Sequence, residues 1–331
     1  MQMKIGKISE SVLKRSVLKE IENKNESVKS GAGVGADCAI FTCGDTFTAV
    51  CTQMAEIKTA EDVRCVMMRA AGGVACSGAQ PVMATIALLL PLYIEEEDLK
   101  RHMAEADEAA KELHIQIAGG HTEVSMSAMR PCVTATVVGR ADSPILPGGA
   151  RPGQDVVLSK WIGLEGTVRL AARHQDELEE RYPLSMIEKA VDFKQYLSII
   201  PEAATAAKSN VSAMHDVSGG GIFAALWELA ESAGVGLSVD LKKIPIKQET
   251  IEICEFFGLN PYELSSGGCL LMTADNGESL VQALEAAQIP AAVIGKITDD
   301  NDRVVINEDE KRFLERPKAD EINKKNVRRQ K

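Results

Sequence analysis

The chain has 331 residues, 45% of them hydrophobic and spread along its length, enough to bury a sizeable core and form two domains. A net charge of −11 argues against nucleic-acid binding, which needs a concentrated basic surface, and no apolar run reaches the roughly 20 residues of a membrane span. Eight cysteines without a CxxC pair read as small core residues in a reducing compartment rather than as zinc ligands; with no apolar leader at the start, the expected location is cytoplasmic.

In chain order, apolar residues at helical spacing predict a helix over 10–22, followed by the glycine-rich loop GAGVGADCA at 31–39. Strands are expected at 38–41 and 46–52, a helix over about 60–77, and a strand at 83–90 after Pro81. A charged amphipathic helix at 99–113 leads to a short strand at 115–118, a break at Gly119 and Gly120, and a long strand at 131–138. PILPGGARPG at 144–153 is dense in turn residues and marks the domain boundary, with residues 1–150 before it and 151–316 after it. Beyond it come a strand at 155–159, a helix at 164–173 and a helical region at 184–208 interrupted at Pro201. A glycine turn with its helix to 233, a strand at 236–240 and a helix at 248–257 follow; strand 269–273, helix 278–287 and strand 291–297 complete the fold. Strands and helices mix in both halves, which predicts two α/β or α+β domains. Residues 317–331 read as a basic, solvated tail.

Four glycine-bearing segments stand at strand edges or before helices: GAGVGADCA, AGGHTEV at 118–124, MHDVSGGG at 214–221 and SSGGCLL at 265–271. None is a P-loop, and Gly31, Gly33 and Gly35 precede a strand rather than the helix of a dinucleotide turn. Three glycines before a helix leave amide groups at its positive end, where a phosphate can sit beside His215 and Asp216; the same segment also reads as an ordinary capped turn.

With ACSGAQP at 75–81 and LSKWIGLEGT at 158–167 added in order, the series resembles the AIR synthase superfamily, in particular its HypE hydrogenase-maturation branch, over roughly residues 1–300. The resemblance implies an N-terminal mixed-sheet domain that forms a barrel across a homodimer, followed by a C-terminal α/β domain. It further implies ATP bound between the domains, Mg²⁺ bridging its phosphates to acidic side chains, and activation of an oxygen as a phosphate ester. By the same resemblance Gly33, Gly35, Gly119, Gly120, Thr122, His215, Gly219, Gly220 and Gly221 would hold the nucleotide. Asp37, His121 and Asp216 would be catalytic, and Asp37, Glu123 and Asp216 would hold the metal.

The chain departs from that pattern where metal should bind. The family's acids fall here on Ala36, Gln53 and the pair Gly72–Gly73, and His121 replaces the acid of the GGDT loop. No cysteine follows Cys269, so thiocyanate formation on a tail cysteine is not expected. Asp37 and Asp216 read either as turn and helix caps or as ligands, and His121 either as a solvated residue or as a phosphate or metal contact. Two functions remain open from sequence. One is an ATP-dependent enzyme activating an amide, carbamoyl or carboxylate oxygen; the other is a degenerate nucleotide- or anion-binding homologue acting on a partner, such as another maturation protein.

Overall fold

The computed structural model describes residues 5–324. Among them, six strands form a first sheet: β1 (Val28–Ser30), β2 (Ala39–Cys43), β3 (Thr46–Glu56), β4 (Gln80–Leu90), β5 (Gln116–Val124) and β6 (Cys132–Ala141). Their order is β1-β2-β3-β6-β4-β5, antiparallel except for the parallel β4–β5 edge. Alternation drives this sheet: on β4, Ala84, Ile86, Leu88 and Leu90 are buried while Val82 and Leu89 face out. Each buried Leu or Ile contributes about 1.5–3 kcal/mol.

The Ala60–Ala75 helix lies on the inner face, begun by a capping box between Thr59 and Asp62. It packs on β3 and β6 and also meets the Leu164–Arg173 and Ile200–Ala207 helices, so it is buried nearly all round. The second sheet holds β7 (Asp155–Ser159), β8 (Ala213–Asp216), β9 (Gly236–Asp240), β10 (Leu270–Ala274), β11 (Ala291–Thr298), β12 (Arg303–Asn307) and β13 (Glu310–Phe313), in the order β13-β12-β9-β11-β7-β10-β8. Only β12–β9 is parallel. The two mixed sheets with their helices match the expected two-domain α/β architecture. None of the described helices is long and apolar enough to cross a membrane.

The structure departs from the sequence reading in five places. The helix expected over 10–22 ends at Ser16, with only a short 3₁₀ turn at Leu18–Glu20 beyond it. Strand β5 does not stop at the glycine pair but runs through Gly119, Gly120, His121, Thr122 and Glu123, because β4 supplies a continuous parallel partner. A Cβ at Gly120 would overlap the Ile86 carbonyl, so glycine there permits pairing instead of ending it. Pro201 opens the Ile200–Ala207 helix rather than interrupting one, as expected for proline in a first turn. The β12–β13 hairpin was not anticipated, since Glu310–Phe313 is exposed throughout. Finally, residues 317–324 do not form a solvated tail: Asp320, Glu321 and Ile322 are buried, Ile322 against the Leu264 and Phe257 cluster. The remainder of the expected tail, 325–331, lies outside the described residues.

Candidate functional site

Between the two sheets opens a cleft of about 650 Å³. One wall is the 33–37 loop, the end of β3, Lys58 and Arg69; the other carries His215, Ser218, Gly219, Glu228, Arg169 and Arg173. The loop reaches the opposite wall because Gly35 has a left-handed φ of 73° and packs directly on the Glu228 carbonyl, where a Cβ would clash.

That approach brings Asp37 to His215, 178 positions away in sequence. Asp37 Oδ2 accepts from His215 Nδ1 at 2.9 Å and from the Asp216 amide at 3.2 Å. On its other side the imidazole donates from Nε2 to Glu228 Oε2 at 3.3 Å, and Glu228 also pairs with Lys7. Burial alone would lower the His215 pKa, but the Asp37 charge and the bonds to both carboxylates raise it to about 10. The ring is therefore an imidazolium at neutral pH, clamped between two carboxylates from opposite walls. Burial opposes ionisation of Glu228 too, yet its bond from His215 and the nearby Lys7 bring it down to about 2.

Asp216 follows His215 on β8 and points elsewhere. It borders a separate space of about 10 Å³ with Arg69, Glu165 and Gly267, room for a single water. Burial, and then repulsion from Asp37, raise its carboxyl to about 7.

The helix N-terminus that the sequence marks for phosphate is already occupied. Gly220 and Gly221 adopt left-handed φ of 90° and 67°, and the Gly220 amide donates to Asp320 Oδ2 at 2.8 Å. Ser265, from the fourth glycine segment, donates to the same carboxylate through Oγ at 2.8 Å and its amide at 3.3 Å, and the Ile322 amide adds a bond at 3.0 Å. The chain's own carboxylate thus closes the cradle that the two glycine segments form.

Of the residues anticipated from sequence, Gly33, Gly35, Asp37, His215 and Gly219 line the cleft. Gly220 and Gly221 are turned into the Asp320 cap and the Tyr262 contact. Gly119, Gly120, His121, Thr122 and Glu123 lie on the exposed β5 edge, where His121 Nε2 sits 3.4 Å from Glu123 Oε2, and none of them lines the cleft.

The anticipated metal set is not drawn together within one chain. Asp37 is committed to His215, Asp216 lies behind it, and Glu123 is on β5. Among the described residues no group of three or more His, Cys, Asp or Glu side chains converges to hold a metal. A carboxylate could not be restored at Gly73, whose Cβ would stand 2.6 Å from Cys51 Sγ and 3.0 Å from the Asp37 carbonyl. These residues do not fit a resident Mg²⁺.

Sequence reasoning missed the basic wall and its partners. Asp62, fully buried, accepts from the amides of Lys58 (2.9 Å) and Thr59 (3.0 Å), from Arg169 Nε (2.9 Å) and from Arg173. Glu165 accepts from Arg169 at 3.0 Å. The available signal was the i, i+4 spacing of Glu165, Arg169 and Arg173 on one helix face.

Two family models match this chain: AIR synthase related protein, N-terminal domain, over residues 34–141, and AIR synthase related protein, C-terminal domain, over 151–307. A protein of Methanocaldococcus jannaschii named for hydrogenase expression/formation is 25% identical over 316 residues, 91% of each chain. Carbamoyl dehydratase HypE of Rhizobium leguminosarum bv. viciae is 26% identical over 237 residues, 69% of this chain and 66% of that one. Among solved structures, a HypE–HypF complex covers 92% of this chain and 99% of its own at TM-score 0.76 and 21% identity. HypE in complex with ATP covers 97% and 98% at TM-score 0.71 and 17% identity.

Proposed function

From its membership of the AIR synthase related protein family, to which the chain belongs, we propose that it binds ATP in the cleft between its two sheets and phosphorylates a carbamoyl, amide or carboxylate oxygen in hydrogenase maturation. The observation that carries this reading is the cleft itself. The glycine loop at 33–37 and Gly219 leave backbone exposed for close approach of phosphates, beside an ordered Asp37–His215–Glu228 chain. The ATP of the HypE complex and the carbamoyl dehydratase name of the matched relatives support the ligand and the reaction class. They favour the enzyme over a degenerate binding protein.

In the proposed reaction the substrate oxygen attacks the γ-phosphorus, the new O–P bond forms as the bond to ADP breaks, and the oxygen becomes a leaving group. Asp37, fixed by the imidazolium, orients the ligand at the mouth of the 33–37 loop. Among the described residues no carboxylate cage is prebuilt for Mg²⁺.

Residues 1–150 are the dimerising and nucleotide-binding half in this reading, and 151–316 the C-terminal half. The homodimer is supported by the exposed apolar border of β5, with Val124, Met126, Met129, Leu92 and Tyr93 each more than half exposed. A barrel across that dimer would carry His121 and Glu123 into the shared interface. The HypE–HypF complex supports a second maturation protein as partner.

The experiment is ADP release from ATP in the presence of a carbamoyl donor. The wild type is expected to turn over, and Asp37→Asn to lower the rate about 100-fold or more by loosening the ligand's alignment. ADP release no faster than in buffer, or unchanged in D37N, would count against the reading.

A further inference from the structure

We propose that the cleft neutralises the phosphates of its ligand with side-chain cations, Arg69 and Arg173 foremost, in place of a divalent metal. The inference rests on the reading of the cleft as a nucleotide site, and it follows from a reversal of charge on the cleft wall. Where the family resemblance asks for acids, the chain has Ala36, Gln53 and Gly73, and the space at Gly73 is filled by Cys51. Three arginines instead line the same cleft: Arg69 from the Ala60–Ala75 helix, and Arg169 and Arg173 from the Leu164–Arg173 helix.

The carboxylates packed among them do not balance them. Asp62 serves both Arg169 and Arg173, and Glu165 serves Arg169 at 3.0 Å while standing 3.7 Å from Arg69. Within ion-pair distance three guanidiniums thus share two carboxylates, with Asp216 and Asp320 acting on Arg69 and Arg169 from farther off. Lys58, paired with Glu56 at 3.8 Å, lines the same cleft.

Donors are also left over. The Nε atoms of Arg69 and Arg173 are buried without a hydrogen-bond partner, and Arg69 Nη2 makes only a long 3.4 Å contact to the Met54 carbonyl. A buried Nε–H without an acceptor is costly, and a phosphate oxygen is an acceptor whose geometry and charge match the guanidinium fork. Burial, and after it repulsion from Arg169, lower the Arg173 pKa, and burial and Arg173 do the same to Lys58. An anion placed among these groups would relieve that crowding. The ligand class is therefore a polyphosphate bound as its free anion, with the arginines supplying the charge that Mg²⁺ would otherwise bring.

Calorimetric titration of the full chain tests this, with ATP and with inorganic tripolyphosphate as probes, each in excess EDTA and in Mg²⁺. ATP is expected to bind in EDTA with a Kd within about threefold of that in Mg²⁺, and Arg69→Gln or Arg173→Gln to weaken binding of both probes in EDTA about tenfold or more. Arg69→Lys, which keeps the charge, should lose less, and thermal melts of every variant identify any that fails to fold. The exposed Arg151→Gln should bind as the wild type does. Binding that requires Mg²⁺, or unchanged affinity in folded R69Q and R173Q, would overturn the inference. Mg²⁺-dependent binding together with ADP release would do so while leaving the proposed function standing. Metal-free tripolyphosphate binding without ADP release from ATP would do the reverse.

Discussion

His215→Ala is expected to destabilise the protein by about 3–5 kcal/mol, because it removes the cation from between two largely buried carboxylates and leaves them facing each other. Asp37 and Glu228 belong to opposite walls of the cleft, so the loss should also loosen the 33–37 loop. Urea denaturation at neutral pH reads the effect as a lower midpoint.

The same pair fixes a pH dependence. The folded pKa of His215, about 10, lies above its ordinary 6.5, so the folded state holds the proton more tightly than the unfolded chain. The stabilisation is complete below pH 6.5 and is lost as pH rises through about 10. Wild-type stability should therefore fall across that window, and His215→Ala should flatten the slope there. Asp216, raised to about 7, costs stability that accrues as pH rises from its ordinary 3.8 to about 7 and persists above it. Glu228, lowered to about 2, contributes stability that is present above 4.5 and is lost as pH falls through about 2. An alkaline limb that persists unchanged in His215→Ala would contradict the assignment of the imidazolium.

The second large effect is expected at Asp62. Asp62→Ala removes the acceptor shared by Arg169, Arg173 and the amides of Lys58 and Thr59, leaving two buried guanidiniums short of a partner. The cost should be about 3–5 kcal/mol, since breaking one side of a buried ion pair strands the other. Burial opposes the ionised carboxyl, and Arg173 and Arg169 overcome it to hold its pKa below the usual carboxylate value. A double-mutant cycle with Arg169→Ala measured by denaturation should give a coupling energy well above about 0.5 kcal/mol. Additive losses would mean that the network does not bind the two helices.

Strand-like apolar runs made β4 and β6 readable from sequence, and the helix expected over about 60–77 matches the Ala60–Ala75 helix, whose Thr59–Asp62 capping box becomes evident only in the structure. Of the residues in the glycine segments, Gly33, Gly35, Asp37 and His215 stand along one cleft. Their arrangement was not readable. The bond from His215 to Asp37 joins two strands' ends far apart in the chain, and Glu228 is an acid on a helix face with no local mark of its role. Glycine at 119–120 reads as a break because its intrinsic preference is for turns; the parallel partner β4 overrides that preference. Arg69, Arg169 and Arg173 read locally as solvated charges, and only the packing of one helix on the other covers most of their side chains. The Asp320 cap was hidden by the basic residues around it. Nothing in the spacing of a carboxylate 100 residues from Gly220 says that it will close that helix.

In the proposed function nucleotide enters between the two sheets, at the 33–37 loop and the His215 wall. Amide hydrogen exchange with and without ATP tests it most directly. ATP should slow exchange in residues 33–37 and 215–220 together, with the exposed β13 unaffected. Saturating ATP that leaves both segments at their unliganded rates, or protects only a site remote from this cleft, would contradict it.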